Sequence, residues 1–282
     1  LSYHMLEVRE LNFDYPDGYE AIKNISFTIR RGESVGIIGA NGAGKSTLLM
    51  LLMGVLFPKN GQVLVDEVAV SKKTLPMIRQ QMGMVFQDPD DQLFMTTVYD
   101  DVAFGPRNYL LSEQEVNQRV TKALELVGIS HLKDRAPFRL SGGEKRAAAI
   151  ASVLSMEPDI LIMDEPTSAL DPKSRRRLIS LLNSFEHTKI ITSHDLDTIV
   201  ETCSRTIVIK AGEIVAEGKT VEILTNEELL DHCGLEMPLS LQNCSICGSE
   251  KDFFTEKTKY STTNTYGIQT IERDCRVSLV EN

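Results

Sequence analysis

Gly39-Ala40-Asn41-Gly42-Ala43-Gly44-Lys45-Ser46 decides the fold: it is a G-x-x-x-x-G-K-[ST] loop in the context its chemistry requires. The apolar run Ser34-Val35-Gly36-Ile37-Ile38 before it predicts a buried strand, and Thr47-Leu48-Leu49-Met50-Leu51-Leu52 after it predicts a helix. In such a strand-to-helix loop, successive backbone N–H groups converge on one spot, and the helix N-terminus adds partial positive charge. Glycines at 39, 42 and 44 allow the tight path. Lys45 can reach the β- and γ-phosphates, and the Ser46 hydroxyl can hold Mg²⁺. The loop implies a nucleoside triphosphate site.

Working outward, Ile160-Leu161-Ile162-Met163-Asp164-Glu165 is an apolar strand ending in two carboxylates. Ligands of a parallel sheet bind at the carboxyl ends of its strands, which places both acids beside the phosphate loop. Asp164 is then positioned for Mg²⁺, and Glu165 to polarise an attacking water as general base. Lys189-Ile190-Ile191-Thr192 is another short run suited to a strand buried on both faces. Ile25, Phe27 and Ile29 alternate with polar residues, and with Leu6, Val8, Leu11 and Val63 to Val65 they predict an antiparallel patch. The stretch from 112 to 156 is predicted helical, with Ser112 as cap and a break at Gly128; 206–209 and 213–216 predict a hairpin around Gly212.

Leu140-Ser141-Gly142-Gly143-Glu144 precedes a predicted helix over 145–156. Ser141 and Glu144 form an S-x-x-E capping box, which is a structural explanation by itself. The two glycines also leave the helix N-terminus bare of side chains, as an anion site needs. Both readings stand on these residues alone.

Composition narrows the classes. The 282 residues are 42% hydrophobic and 25% charged, with a net charge of −10. That is ordinary for a globular protein, and an acidic balance disfavours nucleic acid as a partner. The longest apolar stretch, Leu48 to Phe57, is too short to span a bilayer and is expected to be a buried helix. The first residues show no basic–apolar–small pattern, so no signal peptide is expected. Leu1 to His4 look vector-derived, with Met5 the expected natural start. Five unevenly spaced cysteines describe no disulfide framework, as expected of a cytosolic protein.

The phosphate loop, Gln87, Leu140 to Glu144, Asp164-Glu165, Ser168-Ala169-Leu170-Asp171 and His194 occur in an order and spacing that resemble an ATP-binding-cassette ATPase. The resemblance covers residues 5–232. It implies an α/β P-loop domain with a mixed sheet, an antiparallel β subdomain and a helical subdomain at about 88–156. A small extension, 233–282, would follow for dimer contact or regulation.

By this resemblance, Tyr15 is the aromatic that stacks on adenine, with Tyr19 as the lesser candidate. Gly39, Asn41, Gly42, Ala43, Gly44, Lys45, Ser46 and Thr47 hold ATP. Gln87 touches Mg²⁺ and water, joining Ser46 and Asp164. Ser141, Gly142 and Gly143 bind the γ-phosphate of ATP held by an opposite subunit, Asp171 crosses between the two sites, and His194 is the switch histidine beside the base Glu165. ATP would lie between two subunits, as a homodimer or a heterodimer.

Val85 to Phe94 and Val98 to Pro106 are further similar to the ATPases of energy-coupling-factor importers. In that family this region forms a groove for helices of a transmembrane coupling subunit, which works with a substrate-binding membrane subunit at the cytoplasmic face. Asp88, Asp90 and Asp91 could bind arginines there, although an acidic run is also read as a solvated face. Glu144-Lys145-Arg146 favours the cobalt/nickel branch over the vitamin branch, while Ala147-Ala148-Ala149 stands where the family often has Arg-Val-Ala. A non-transport ATPase is disfavoured. The repair type inserts a long coiled coil where only residues 46–139, 94 in number, separate Lys45 from Leu140, and the translation type carries two cassettes. In the extension, Cys244-x-x-Cys247, with Cys233 and Cys275, could supply a zinc site.

Overall fold

The computed structural model describes residues 4–242. Strands β1 (His4–Asp14), β2 (Glu20–Arg30), β4 (Asn60–Val65) and β5 (Val68–Ala69) form an antiparallel sheet in the order β2-β1-β4-β5. Strands β3 (Ser34–Ile38), β6 (Met82–Val85), β7 (Ile160–Asp164), β8 (Thr188–Thr192), β9 (Arg205–Lys210) and β10 (Glu213–Lys219) form a second sheet. Its order is β10-β9-β3-β8-β7-β6, parallel except for the β9-β10 hairpin.

Alternation along the parallel strands explains the layering. Val35 and Ile37 of β3, and Ile160 and Ile162 of β7, face a core shared with β1, β2 and helix α1 (Lys45–Leu52). Ile38, Leu161 and Met163 point the other way, into a core built with α3 (Val98–Asn108), α4 (Glu113–Val127), α5 (Gly142–Leu154) and α6 (Pro172–Ser184). A strand apolar on both sides needs cover on both sides, and the continuous runs at 34–38 and 160–164 meet that condition. The remaining helices are α2 (Leu75–Gln81), α7 (Leu196–Thr202), α8 (Thr220–Leu224) and α9 (Glu227–His232).

The P-loop cassette architecture, the antiparallel patch and the hairpin agree with expectation. Helix α4 has the expected cap at Ser112, whose hydroxyl and backbone both bond Glu115, and it stops at left-handed Gly128. Two helix boundaries differ. The helix expected through Phe57 ends at Leu52; the chain turns at Gly54 (φ 62°), leaving Val55 and Phe57 exposed. The signature helix begins at Gly142 and not at Lys145, because its capping box sits on Ser141. Past the expected boundary at 232, Leu235, Met237 and Leu241 also pack on the core. Cys233 is buried within it, and burial pushes its thiol pKa up. The other members of the expected zinc set, Cys244, Cys247 and Cys275, lie outside the described residues.

Candidate functional site

The phosphate loop joins β3 to α1 at the carboxyl edge of the parallel sheet. Gly44 caps α1 with φ 106°, and a Cβ there would come within 2.7 Å of the Ala21 carbonyl oxygen, so only glycine fits. No side chain caps this helix, so its first amides remain available to an anion. Lys45 is buried and donates from Nζ to the carbonyls of Gly39 (2.8 Å) and Ala40 (3.2 Å). Burial pushes its pKa down from the usual lysine value, against the opposing pull of Glu165 and Asp164. The hairpin turn supports the loop from behind, with the Gly212 amide donating to the Ala43 carbonyl at 3.0 Å.

Opposite the loop, β7 ends in Asp164 and leads directly into Glu165, both buried. The Thr192 hydroxyl donates to Asp164 Oδ1 at 2.6 Å. Glu165 has left-handed backbone geometry (φ 48°), an uncommon state for glutamate and one that concentrates at functional sites. Its Oε2 accepts from the backbone amide of His194 at 3.0 Å. Its Oε1 is buried without a hydrogen bond, although the His194 Nε2 stands 3.4 Å away.

A cavity of about 400 Å³ is lined by Asn41 to Thr47 together with Gln87, Asp164, Glu165 and His194. Gly39 does not line it and is tied to it only through the bond its carbonyl accepts from Lys45. A second cavity of about 720 Å³ shares Ser46, Gln87 and Asp164 with the first and is walled by Gly142, Lys145 and Arg146 of α5. One carboxylate, one hydroxyl and one amide converging here suit Mg²⁺, which prefers few protein ligands plus phosphate oxygens.

The two tyrosines separate. Tyr15 is half-buried, edge-on to Phe13 with centroids 5.0 Å apart, and its hydroxyl pairs with the Thr47 hydroxyl at 2.9 Å. Tyr19, stacked on Tyr15 at 6.5 Å, is 53% exposed, donates to the Gly42 carbonyl at 3.2 Å and lines the smaller cavity, which Tyr15 does not.

Ser141, Gly143 and Asp171 are not brought to this cavity. Ser141 completes its capping box, with the Ser141 amide donating to Glu144 Oε2 at 2.7 Å and the Glu144 amide donating to the Ser141 hydroxyl at 3.4 Å. Both readings of the signature are thereby compatible, because the Ser141 side chain stays exposed. Asp171 caps α6, accepting from the amides of Lys173 and Ser174 and from the Ser174 hydroxyl, which lowers its pKa.

Several contributors escaped the sequence reading. Arg146 is buried on α5, and its guanidinium donates to the backbone carbonyls of Phe86 (2.7 Å) and Gln87 (2.5 Å). Its place three and four residues before buried Ala149 and Ile150, on the apolar face of the helix, was the available signal. Gln92 braces the same loop, accepting from the Phe86 amide and donating to the Ala149 carbonyl. Arg175 on α6 bonds Asp195, next in the chain to His194. Burial works against ionisation of Asp195, but Arg175 and Thr198 outweigh it and hold its pKa below the usual value. The acidic run is not uniformly free either: Asp90 pairs with Lys145 at 2.6 and 2.8 Å, and Asp88 accepts from the Asp90 amide. Among the described residues Asp91 is the one of the three without an ion pair or side-chain hydrogen bond.

Fold and site together define a P-loop ATPase domain of the ATP-binding-cassette type. Residues 22–168 match the ABC transporter family, and the chain belongs to that family as an ATP-binding domain. It is 58% identical over 248 residues to GSU1281 of Geobacter sulfurreducens, whose name places it among ABC transporter ATP-binding proteins; the match covers 88% of this chain and 100% of that one. It is 45% identical over 256 residues to the energy-coupling factor transporter ATP-binding protein EcfA of Methanothermobacter thermautotrophicus, covering 88% and 82%. The solved structure of cbiO1 from Clostridium perfringens, described as part of the ABC transporter complex cbiONQ, superposes with a TM-score of 0.73 at 42% identity, covering 82% of this chain and 94% of that one. The family binds and hydrolyses ATP. Among the described residues no helix is long and apolar enough to cross a membrane.

Proposed function

We propose that this chain is the ATP-hydrolysing subunit of an energy-coupling-factor importer, with Glu165 as general base. The observation that carries the catalytic part is the Glu165 carboxylate: one oxygen is fixed by the His194 amide, the other is buried and unbonded, and the residue lines the same cavity as Lys45 and Ser46. A buried carboxylate oxygen without a donor is costly, and a water held between it and the γ-phosphate would satisfy it. Glu165 then takes the proton of that water as it attacks, while His194 keeps the carboxylate in place. Lys45 and the loop amides hold the β- and γ-phosphates, and Mg²⁺ at Ser46, Gln87 and Asp164 would spread their charge. Tyr19 or Tyr15 offers its ring to the base; the cavity favours Tyr19.

Ser141 and Gly143 do not line the cavity formed by the chain's own phosphate loop, and Ser141 is exposed, which supports a head-to-tail pair in which each site borrows the other subunit's signature. That pair is a homodimer or a heterodimer with a second such ATPase. The similarity to EcfA and to the cbiONQ component supports work with a transmembrane coupling subunit and a substrate-binding membrane subunit, at the cytoplasmic face. Glu144-Lys145-Arg146 favours cobalt or nickel ions as cargo over vitamins.

Two measurements test the reading. ATP turnover by the purified chain should vanish in Lys45→Ala, and full turnover there would remove the loop from the chemistry. Co-purification of the tagged chain from its source cells should bring down an integral membrane partner, and divalent-ion uptake should depend on it. Vitamin uptake with no ion uptake would select the other branch.

A further inference from the structure

Helix α6 starts at its cap Asp171, and Arg175 lies one turn in. From there its guanidinium spans to three acceptors on α7 and its cap: Asp195 Oδ2 at 2.7 Å, the Thr198 hydroxyl at 3.1 Å and Glu201 Oε1 at 3.2 Å. Its side chain is 23% exposed, and Asp195 and Glu201 are similarly sheltered at 35% and 31%. A rigid planar fork spread over three fixed acceptors defines a geometry in a way a single flexible ion pair does not. The neighbouring Arg176 provides the contrast: 73% exposed, it reaches Glu201 alone, at 3.4 Å.

These contacts close a ring through the catalytic residues. Glu165 leads through the loop Ser168 to Asp171 into α6; Arg175 crosses to Asp195; Asp195 follows His194 in the chain; and the His194 amide returns to Glu165 Oε2 at 3.0 Å. The Glu165 amide adds a second closure by donating to the Thr192 carbonyl at 3.2 Å. The backbone at 194–195 therefore carries both the hydrogen bond that orients the carboxylate and the anchor of Arg175. Among the described residues, the Arg175–Asp195 bond ties α6 to that segment.

We infer that Arg175 is a positioning residue for ATP hydrolysis: through Asp195 it fixes the His194 amide, and with it the Glu165 carboxylate, relative to the Asp171 loop. This rests on the reading of Glu165 as the base. The exposed Asp171 loop is where a second subunit would press, so α6 and Arg175 would transmit its docking to the attacking water's base. The arrangement ties hydrolysis to a correctly seated loop, not merely to bound ATP.

The test uses steady-state ATP turnover, equilibrium binding of a fluorescent ATP analogue and thermal melting of the full chain. Arg175→Met keeps the aliphatic stem and removes the fork. It should lower kcat by about 10²-fold, the scale of a small misplacement of a reacting group, with KM and analogue affinity within roughly twofold. Arg175→Lys keeps the charge and one bond to Asp195, and should recover part of the loss. Arg176→Met should turn over as the parent does. On a Glu165→Gln background, Arg175→Met should remove nothing further, because the group it orients is no longer a base. Loss of ATP affinity in parallel with kcat, or an undiminished multiplicative loss on the Glu165→Gln background, would overturn the inference. So would parental turnover in Arg175→Met while Glu165→Gln is slow. A fully active Glu165→Gln would instead bring down the base assignment itself, and this inference with it.

Discussion

The guanidinium of Arg146 on the signature helix grips the backbone carbonyl of Gln87, at 2.5 Å, and that of Phe86, at 2.7 Å. The group is buried, and its Nε has no partner. Burial lowers its pKa, while Asp88, Asp164 and Glu165 pull the other way. The helix that presents Ser141 is thereby hydrogen-bonded to the loop that presents Gln87.

Arg146→Met should destabilise the fold by about 1–3 kcal/mol, the usual cost of leaving buried acceptors unpaired. It should also raise the Mg²⁺ concentration needed for half-maximal turnover, since Gln87 loses its backbone anchor. Urea denaturation and a Mg²⁺ titration read the two effects separately. An unchanged midpoint in both would mean the carbonyls find water instead.

The acidic run divides into two behaviours. Asp90 already answers Lys145 within the chain, so Asp90→Asn should cost less than about 1 kcal/mol, as exposed pairs do, and leave isolated turnover intact. Asp91 has its charge to spare. Asp91→Lys should weaken co-purification of the membrane partner without changing turnover of the isolated subunit. Equal recovery of partner with parent and variant would return Asp91 to a solvated face.

Asp101 on α3 gives a pH signature. Its Oδ1 accepts from the amides of Phe94 (2.9 Å) and Met95 (3.0 Å), while Oδ2 is buried without a partner. Burial raises its pKa above the usual 3.8; the two amides resist and nearby Asp100 adds to the rise. Between the unfolded and folded values the native state binds the extra proton, so stability from this group is present at low pH and lost as pH rises through the folded pKa. Asp101→Asn keeps an oxygen for both amides and cannot ionise. Its stability relative to the parent should therefore climb with pH above 3.8. A parent-minus-variant difference that is flat across that range would refute the assignment.

What the sequence made legible is what local chemistry encodes. The loop at 39–46, the strand ending at Asp164 and the box at 141–144 each announce a backbone shape through residue type and spacing. The partnerships across the fold are not written that way. Arg146 and Gln87 lie 59 positions apart and Arg175 and Asp195 lie 20 apart, and no periodicity states that a buried arginine will face a particular carbonyl. Asp90 reads in sequence as one of three acids open to a partner's arginines or to solvent, because its partner Lys145 sits on another helix. The Leu48 to Phe57 run reads as one helix by hydropathy; the turn at Gly54 cuts it, after which Asn60 opens β4. The docking of Leu235, Met237 and Leu241 escapes for the same reason, since a polar composition conceals the few apolar residues that pack there.

Glu165→Gln tests the centre of the mechanism. The amide matches the carboxylate in shape and can still accept the His194 amide bond, but it cannot take a proton from water. Loss of a general base typically costs ~10²–10⁴ in rate, or roughly 3–5 kcal/mol of barrier. ATP binding should survive, because Lys45, Ser46 and the amides of Gly42 and Gly44 hold the phosphates without it. With binding intact and hydrolysis slow, ATP should stay between two chains, and size-exclusion chromatography with Mg-ATP should show a dimer. Adding Ser141→Arg places a bulky cation on the exposed signature and should return the variant to monomer, while the Lys45 side of the site is untouched. The parental rate in Glu165→Gln would dismiss Glu165 as the base. A dimer indifferent to Ser141→Arg would dismiss the head-to-tail pair, and the two outcomes are independent because one reads proton transfer and the other reads assembly.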